Sequence, residues 1–136
     1  MTHANHLKLM VDYNLKDPRI VTELDKLGAL DVKTIIECGF QQHTEDDVLI
    51  NKGTVEYGRL LLTRDIETIN EGKYPPCKHG GIIIIKHKRP MPELVVAWVK
   101  AFVQSGKRAL AKGHVTYLLE DRAIIYTHNG KEEVSL

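Results

Sequence analysis

Carboxylates close two of the apolar runs in this sequence: Asp12 follows Leu7 to Val11, and Asp65 follows Leu60 to Thr63 after one arginine. A third group, Glu45, Asp46 and Asp47, stands directly after Thr44, and Glu67 lies just beyond Asp65. Acids drawn into one crevice repel each other and lose hydration, so they need a proton or a cation to coexist. A hard divalent ion with oxygen ligands, Mg²⁺ or Mn²⁺, meets that need with a few carboxylates and waters. Such an ion polarises a phosphate and lowers the pKa of a bound water, which is the chemistry of phosphodiester hydrolysis. Arg64 and Lys86 are suited to a substrate phosphate. Asn14 is suited to a ligating carboxylate or a phosphate, and equally to capping the turn after the first strand.

Each of these residues also has a plainer use. Acids after a strand or in a first helical turn cap the helix and complement its dipole. Arg64 can form an ordinary ion pair, and Lys86 to Arg89 can be a solvated loop. Asp12 stands apart because Asp17 already offers a cap to the helix that follows.

The elements that must position these groups follow from apolar patterning. Leu7 to Val11 reads as a buried strand. Asp17-Pro18 opens a helix that carries Ile20, Leu24 and Leu27 on one face and stops at Gly28. Val32 to Ile36 reads as a second strand, and Cys38 to His43 as a loop. Thr44, with Asp47 three residues on, is expected to cap a second helix that turns Val48 and Leu49 inward and is weakened by Gly53. Arg59 to Thr63 reads as a third strand, and a short helix is expected before the loop at Glu71 to Gly80. Ile82 to Ile85 has no polar alternation, which demands burial on both faces, as in a parallel sheet. Pro92 starts a long helix with Val95, Trp98, Val99 and Phe102 at helical spacing, where a core or dimer interface is expected rather than base stacking. Val115 to Leu119 and Ala123 to Thr127 read as a closing hairpin. This alternation implies an α/β fold with right-handed crossovers, a mostly parallel sheet and helices on both faces. Ligands in such sheets sit outside the carboxyl ends of the strands, where the acids gather.

The chain has 136 residues, 43% of them apolar and 27% charged. These values suit one globular domain over residues 1–136, with its core running from about residue 7 to residue 128. Nineteen Lys and Arg against 18 Asp and Glu give no net charge to draw the whole molecule to nucleic acid, though an enzyme touching a few phosphates needs none. Cys38 and Cys77 have no paired spacing, and the start lacks a basic region followed by a long apolar stretch, so a reducing, cytoplasmic setting is expected. The longest aliphatic run, Ile82 to Ile85, is too short to span a bilayer. Cys77-Lys78-His79 matches no usual zinc spacing, and it is set aside with the seven scattered histidines.

Four segments carry a family resemblance over residues 7 to 105. Leu9-Met10-Val11-Asp12-Tyr13-Asn14-Leu15 looks like the V-D-x-N-L opening of a short bacterial PIN-like family. Thr44 to Leu49 resembles its S-D-E-E-I-L element, Leu61-Leu62-Thr63-Arg64-Asp65 matches its L-L-T-R-D, and Gly81 to Lys86 is similar to its G-V-I-x-L-R strand. The resemblance implies a three-layer PIN-like sandwich and a Mg²⁺- or Mn²⁺-dependent ribonuclease, often the toxin of a toxin–antitoxin pair. Its partners would then be an RNA substrate, a cognate antitoxin and a second copy of the chain, with no membrane. Asp12 matches the family's first-strand acid, Glu45 the acid of its second helix with Asp46 as alternative, and Asp65 the acid of T-R-D. Glu67 falls where the pattern has a second Asp, and Thr68 replaces the aromatic that follows it. Two other readings stay open: a non-catalytic PIN-like interaction module, and a phosphate-receiving domain using Asp12 or Asp65 with Lys86. Against the last, Asp12 is followed by Tyr13 rather than by a second acid.

Overall fold

In the computed structural model the described residues are 7–15, 17–64, 74–75 and 77–136. The chain folds as an α/β protein around a seven-stranded sheet of order β2-β1-β3-β4-β5-β6-β7. Its strands are β1 (Leu7–Val11), β2 (Leu30–Thr34), β3 (Leu60–Arg64), β4 (Ile82–Ile85), β5 (Val115–Leu118), β6 (Arg122–Thr127) and β7 (Gly130–Ser135). The first five are parallel to their neighbours, and β6 and β7 add antiparallel ladders at one edge. The helices are α1 (Pro18–Asp25), α2 (Asp46–Val48), α3 (Thr54–Tyr57) and α4 (Pro92–Gln104). No helix among the described residues is long and apolar enough to cross a membrane.

The central strands are apolar on both sides because both sides are buried. Leu9, Val11, Leu60, Leu62, Ile83 and Ile85 join one apolar cluster with Ile20 and Leu24 of α1 and Val95, Val99 and Phe102 of α4. The alternate residues Met10, Leu61, Ile82 and Ile84 join a second cluster with Leu49, Ile50 and Tyr74. This division is what a period of two requires of a strand covered on each face. The burial also assigns the apolar stripe of α4: Val95, Val99 and Phe102 belong to the core, and Trp98, half-buried, faces the His87 ring at 6.5 Å.

Several local expectations are met and several are corrected. Asp17 caps α1, accepting the Arg19 N–H at 2.9 Å, and Gly28 turns the chain with φ of 74°. The second strand begins two residues earlier than its β-branched run suggests, at Leu30, because Leu7 pairs with Leu30 and sets the register. Thr44 does not cap the second helix; its hydroxyl closes a turn onto the Gln41 carbonyl at 2.7 Å, and Glu45 takes the cap position without a side-chain bond. Val48 is exposed while Leu49 and Ile50 are buried. Between α2 and α3 the backbone runs through a π turn, Leu49–Gly53. The chain also has a strand that the hydropathy pattern does not show: β7 pairs with β6 along its whole length, although four of its six residues are charged or glycine. The short helix expected after β3 falls outside the described residues.

Candidate functional site

The strand order reverses around β1, with β2 on one side of it and β3 on the other. Connections after β1 and β3 leave on opposite faces at such a point and open a crevice at the carboxyl ends. Asp12 occupies this place directly after β1, with its backbone still on the ladder: its N–H donates to the Leu62 carbonyl at 2.9 Å. Its side chain is 8% exposed. Oδ1 accepts the Tyr13 N–H at 2.7 Å and Oδ2 accepts the Thr63 hydroxyl at 2.8 Å. Burial pushes the Asp12 carboxyl above the ordinary Asp value, and the Thr63 and backbone hydrogen bonds and the Arg64 charge pull it part of the way back. Asp12 is therefore a carboxylate held in a place that disfavours its charge, with the Thr63 hydroxyl and the backbone N–H groups of Tyr13 and Asn14 offsetting part of that cost.

Two further predicted residues gather round it. Asn14 lies in the 3₁₀ turn Tyr13–Leu15 and donates through Nδ2 to the Thr63 oxygen at 2.9 Å. Its side chain reaches Asp12 through Thr63, its backbone also hydrogen-bonds to Asp12, and it ties the loop after β1 to the end of β3. Arg64 ends β3, and its guanidinium donates to the Lys88 carbonyl in the loop after β4. A cleft of about 180 Å³ opens beside Asp12, lined by Val11, Tyr13, Leu15 and the β2 end at Thr34 to Ile36. Another cleft, of about 430 Å³ between α1 and α4, has none of the candidate acids in its lining.

The remaining candidates stand apart from that knot. Glu45 is exposed at the start of α2, and Asp46 is half-buried in its first turn. The neighbouring Asp47 accepts the Tyr74 hydroxyl. Burial raises the Tyr74 pKa, and the Asp47 hydrogen bond and the Asp47 and Asp46 charges raise it further, so this phenol is a hydrogen-bond donor and not an acid at working pH. Among the described residues, Asp12, Glu45 and Asp46 do not form a trio with carboxylate oxygens within 4.8 Å of one another. Lys86 follows β4 at the same sheet edge, its ammonium 5.7 Å from the centre of the Tyr117 ring. Asp65 and Glu67 lie outside the described residues.

Two sets of residues were not found from the sequence. Thr63 is the partner that fixes the Asp12 carboxylate, and its only mark is its place one residue before Arg64-Asp65. Cys77, His114 and His128 bring one sulfur and two ring nitrogens within 4.8 Å of one another, a grouping that does not include His79 of the Cys77-Lys78-His79 segment. Neither their spacing nor any motif announces them, because strand register alone assembles them.

Comparison with protein-family models, with curated proteins and with solved structures finds no match in any of the three.

Proposed function

We propose that this chain is a PIN-like domain, a three-layer α/β sandwich, that hydrolyses RNA phosphodiesters with Mg²⁺ or Mn²⁺ at the carboxyl edge of its sheet. The observation that carries the reading is Asp12: a buried carboxylate at the strand-order reversal, held on both oxygens and with its pKa raised by burial. Oxygen donors of this kind fit a hard divalent ion, which satisfies the charge that burial penalises. In this reading Asp12, Glu45 or Asp46, and Asp65 hold the ion, and Glu67 assists directly or through water. Bound there, the ion supplies a more acidic water and polarisation of the phosphate.

The chain's own residues do the rest. Thr63 keeps the Asp12 carboxylate in one orientation, and Asn14 keeps Thr63 in place. Arg64 at the end of β3 and Lys86 after β4 supply positive charge at the same sheet edge for the phosphate that is cut. The family resemblance of the T-R-D and V-D-x-N-L segments supports the same assignment, and with it a toxin role beside an antitoxin and a homodimeric state. Titrating Mn²⁺ into the protein while following RNA cleavage, with Asp12→Asn as control, tests the proposal. Cleavage is expected in the parent and only background in the variant; equal cleavage by both removes the reading.

One observation favours a second reading. Among the described residues Asp12, Glu45 and Asp46 form no three-carboxylate group, which suits a PIN-like module that binds a partner and no longer cleaves. The two readings divide on a melting curve, since a metal-holding site gains stability from added Mn²⁺ and a vacated one does not.

A further inference from the structure

The opposite edge of the sheet carries a second cluster, independent of the reading above. β4 starts at Ile82 and β5 at Val115, so Cys77 and His114 both precede strands, at the amino edge. β6 runs antiparallel to β5 with Val115 opposite Tyr126, so the turn after Thr127 returns to the same edge and delivers His128 beside His114. The two imidazole rings are 6.2 Å apart and tilted by 34°.

The backbone holds Cys77 against this pair. Its N–H donates to the Gly113 carbonyl at 2.8 Å, and the Gly113 N–H donates to the Gly80 carbonyl at 3.0 Å. Cys77 has φ of 65°, the one left-handed residue other than glycine among those described. Gly113 has φ of 75°, a left-handed turn that suits glycine, and a Cβ built there would lie in ordinary contact with the Cys77 backbone at 3.4 Å and its sulfur at 3.7 Å, so the two segments pack side by side.

His114 is already arranged as a ligand. Its Nδ1 lies 2.7 Å from the Leu110 carbonyl, which can only accept, so Nδ1 carries the proton and Nε2 presents a lone pair. That Nε2 is buried and has no hydrogen-bond partner. A ring nitrogen fixed by a carbonyl on its far side is the usual outer support of a metal-bound histidine. A buried nitrogen with nothing to accept is costly unless something meets it.

From these observations we propose that Cys77, His114 and His128 bind a zinc ion at the amino edge of the sheet. One thiolate and two imidazoles select a borderline-soft ion over Mg²⁺ or Mn²⁺. Zinc bonds of about 2.3 Å to sulfur and about 2.0–2.1 Å to nitrogen put tetrahedral ligand atoms roughly 3.3–3.7 Å apart. The closure needed from the present spacing is about 1 Å, and Cys77 and His128 are exposed and able to make it by rotating. On binding, the Cys77 thiol gives its proton to solvent and the sulfur takes the ion. The fourth position opens to a cleft of about 360 Å³ that Glu132 also lines, leaving room for a water or that carboxylate. The ion would clamp the segment before β4 to the β6–β7 hairpin.

The test uses the full, tag-free chain stripped with a chelator and titrated with Co²⁺, then with Zn²⁺. One equivalent of Co²⁺ is expected to give the visible bands of a tetrahedral site and a thiolate-to-cobalt charge-transfer band, both displaced by Zn²⁺. Cys77→Ser is expected to lose the charge-transfer band, and His128→Ala to weaken binding at least tenfold. Both side chains are exposed, so both variants should keep the circular dichroism of the metal-free parent. Absence of the charge-transfer band in the parent, its survival in Cys77→Ser, or unchanged affinity in His128→Ala would each overturn the proposal. Binding at any other histidine would survive the Cys77→Ser/His128→Ala pair and so also counts against it.

Discussion

Burial works against the charge of the Asp12 carboxylate, and this has a measurable sign. Its folded pKa is raised, so its contribution to stability is fully present below the unfolded value near 3.8 and is lost as pH rises through the higher folded value. Without metal, Asp12→Asn is expected to gain in melting temperature relative to the parent at pH 7, and to lose that advantage below pH 4. Melts across this range check it; an advantage that grows toward acid pH would contradict a charge held at a cost. Thr63→Val acts the other way, because it strips the hydroxyl from a carboxylate that stays buried. A loss of about 1.5–3 kcal/mol in a denaturant titration is expected, the range for a hydrogen bond to a charged group. Asp12 itself could be read from the sequence, as an acid after a buried run whose helix already had Asp17 for a cap. Thr63 could not, because its bond crosses from β1 to β3 and exists only once the two strands are in register.

Strands and helices were readable where one physical cause dominated. Ile82 to Ile85 had to be buried on both faces, and Pro18 and Pro92 had to start helices. The reading failed where a partner decided. β7 is polar because it forms the outer edge, and its charges suit a strand that must discourage further pairing. The Asn129-Gly130 dipeptide between β6 and β7 was the available signal for it. Gly53 looked like a helix weakness and is instead a point of close approach: a Cβ there would lie 2.9 Å from Met10 Cε and 3.2 Å from the Phe40 ring. Gly53→Ala should therefore gain less than the roughly 1 kcal/mol that alanine's helix propensity offers, because the Met10 methyl and the Phe40 ring must give way, as thermal unfolding would show. Arg59 is the other hidden device. It precedes β3, is 8% exposed, and donates at 3.1 Å to the Leu9 carbonyl of β1 and at 3.2 Å to the Asp31 carboxylate of β2. It therefore ties three neighbouring strands together. Arg59→Ala should lose about 2–3 kcal/mol, and Arg59→Lys should recover only part of it, since an ammonium cannot span both acceptors.

The molecule as a whole presents two candidate cation sites of opposite chemistry at opposite edges of the same sheet, one after β1 and the other before β4 and β5. The carboxyl edge offers hard oxygen donors around Asp12, and the amino edge offers sulfur and nitrogen at Cys77, His114 and His128. A five-residue strand is roughly 16 Å long at about 3.3 Å per residue, which is beyond the distance at which independent sites usually couple. Each ion at a 100-fold excess over its dissociation constant would add about 2.7 kcal/mol to the free energy of unfolding. The two gains should then sum to within about 0.5 kcal/mol when Mn²⁺ and Zn²⁺ are present together. The variants separate them: Asp12→Asn should keep the zinc gain and lose the manganese gain, and His128→Ala should do the reverse. Loss of both gains in either single variant would mean one shared site or a fold-wide response, and neither assignment would then stand. A gain from zinc alone would keep the amino-edge clamp and leave the carboxyl edge as a partner-binding surface without a nuclease. The three proteins and two ions form one set of melts, and each outcome points to a different protein.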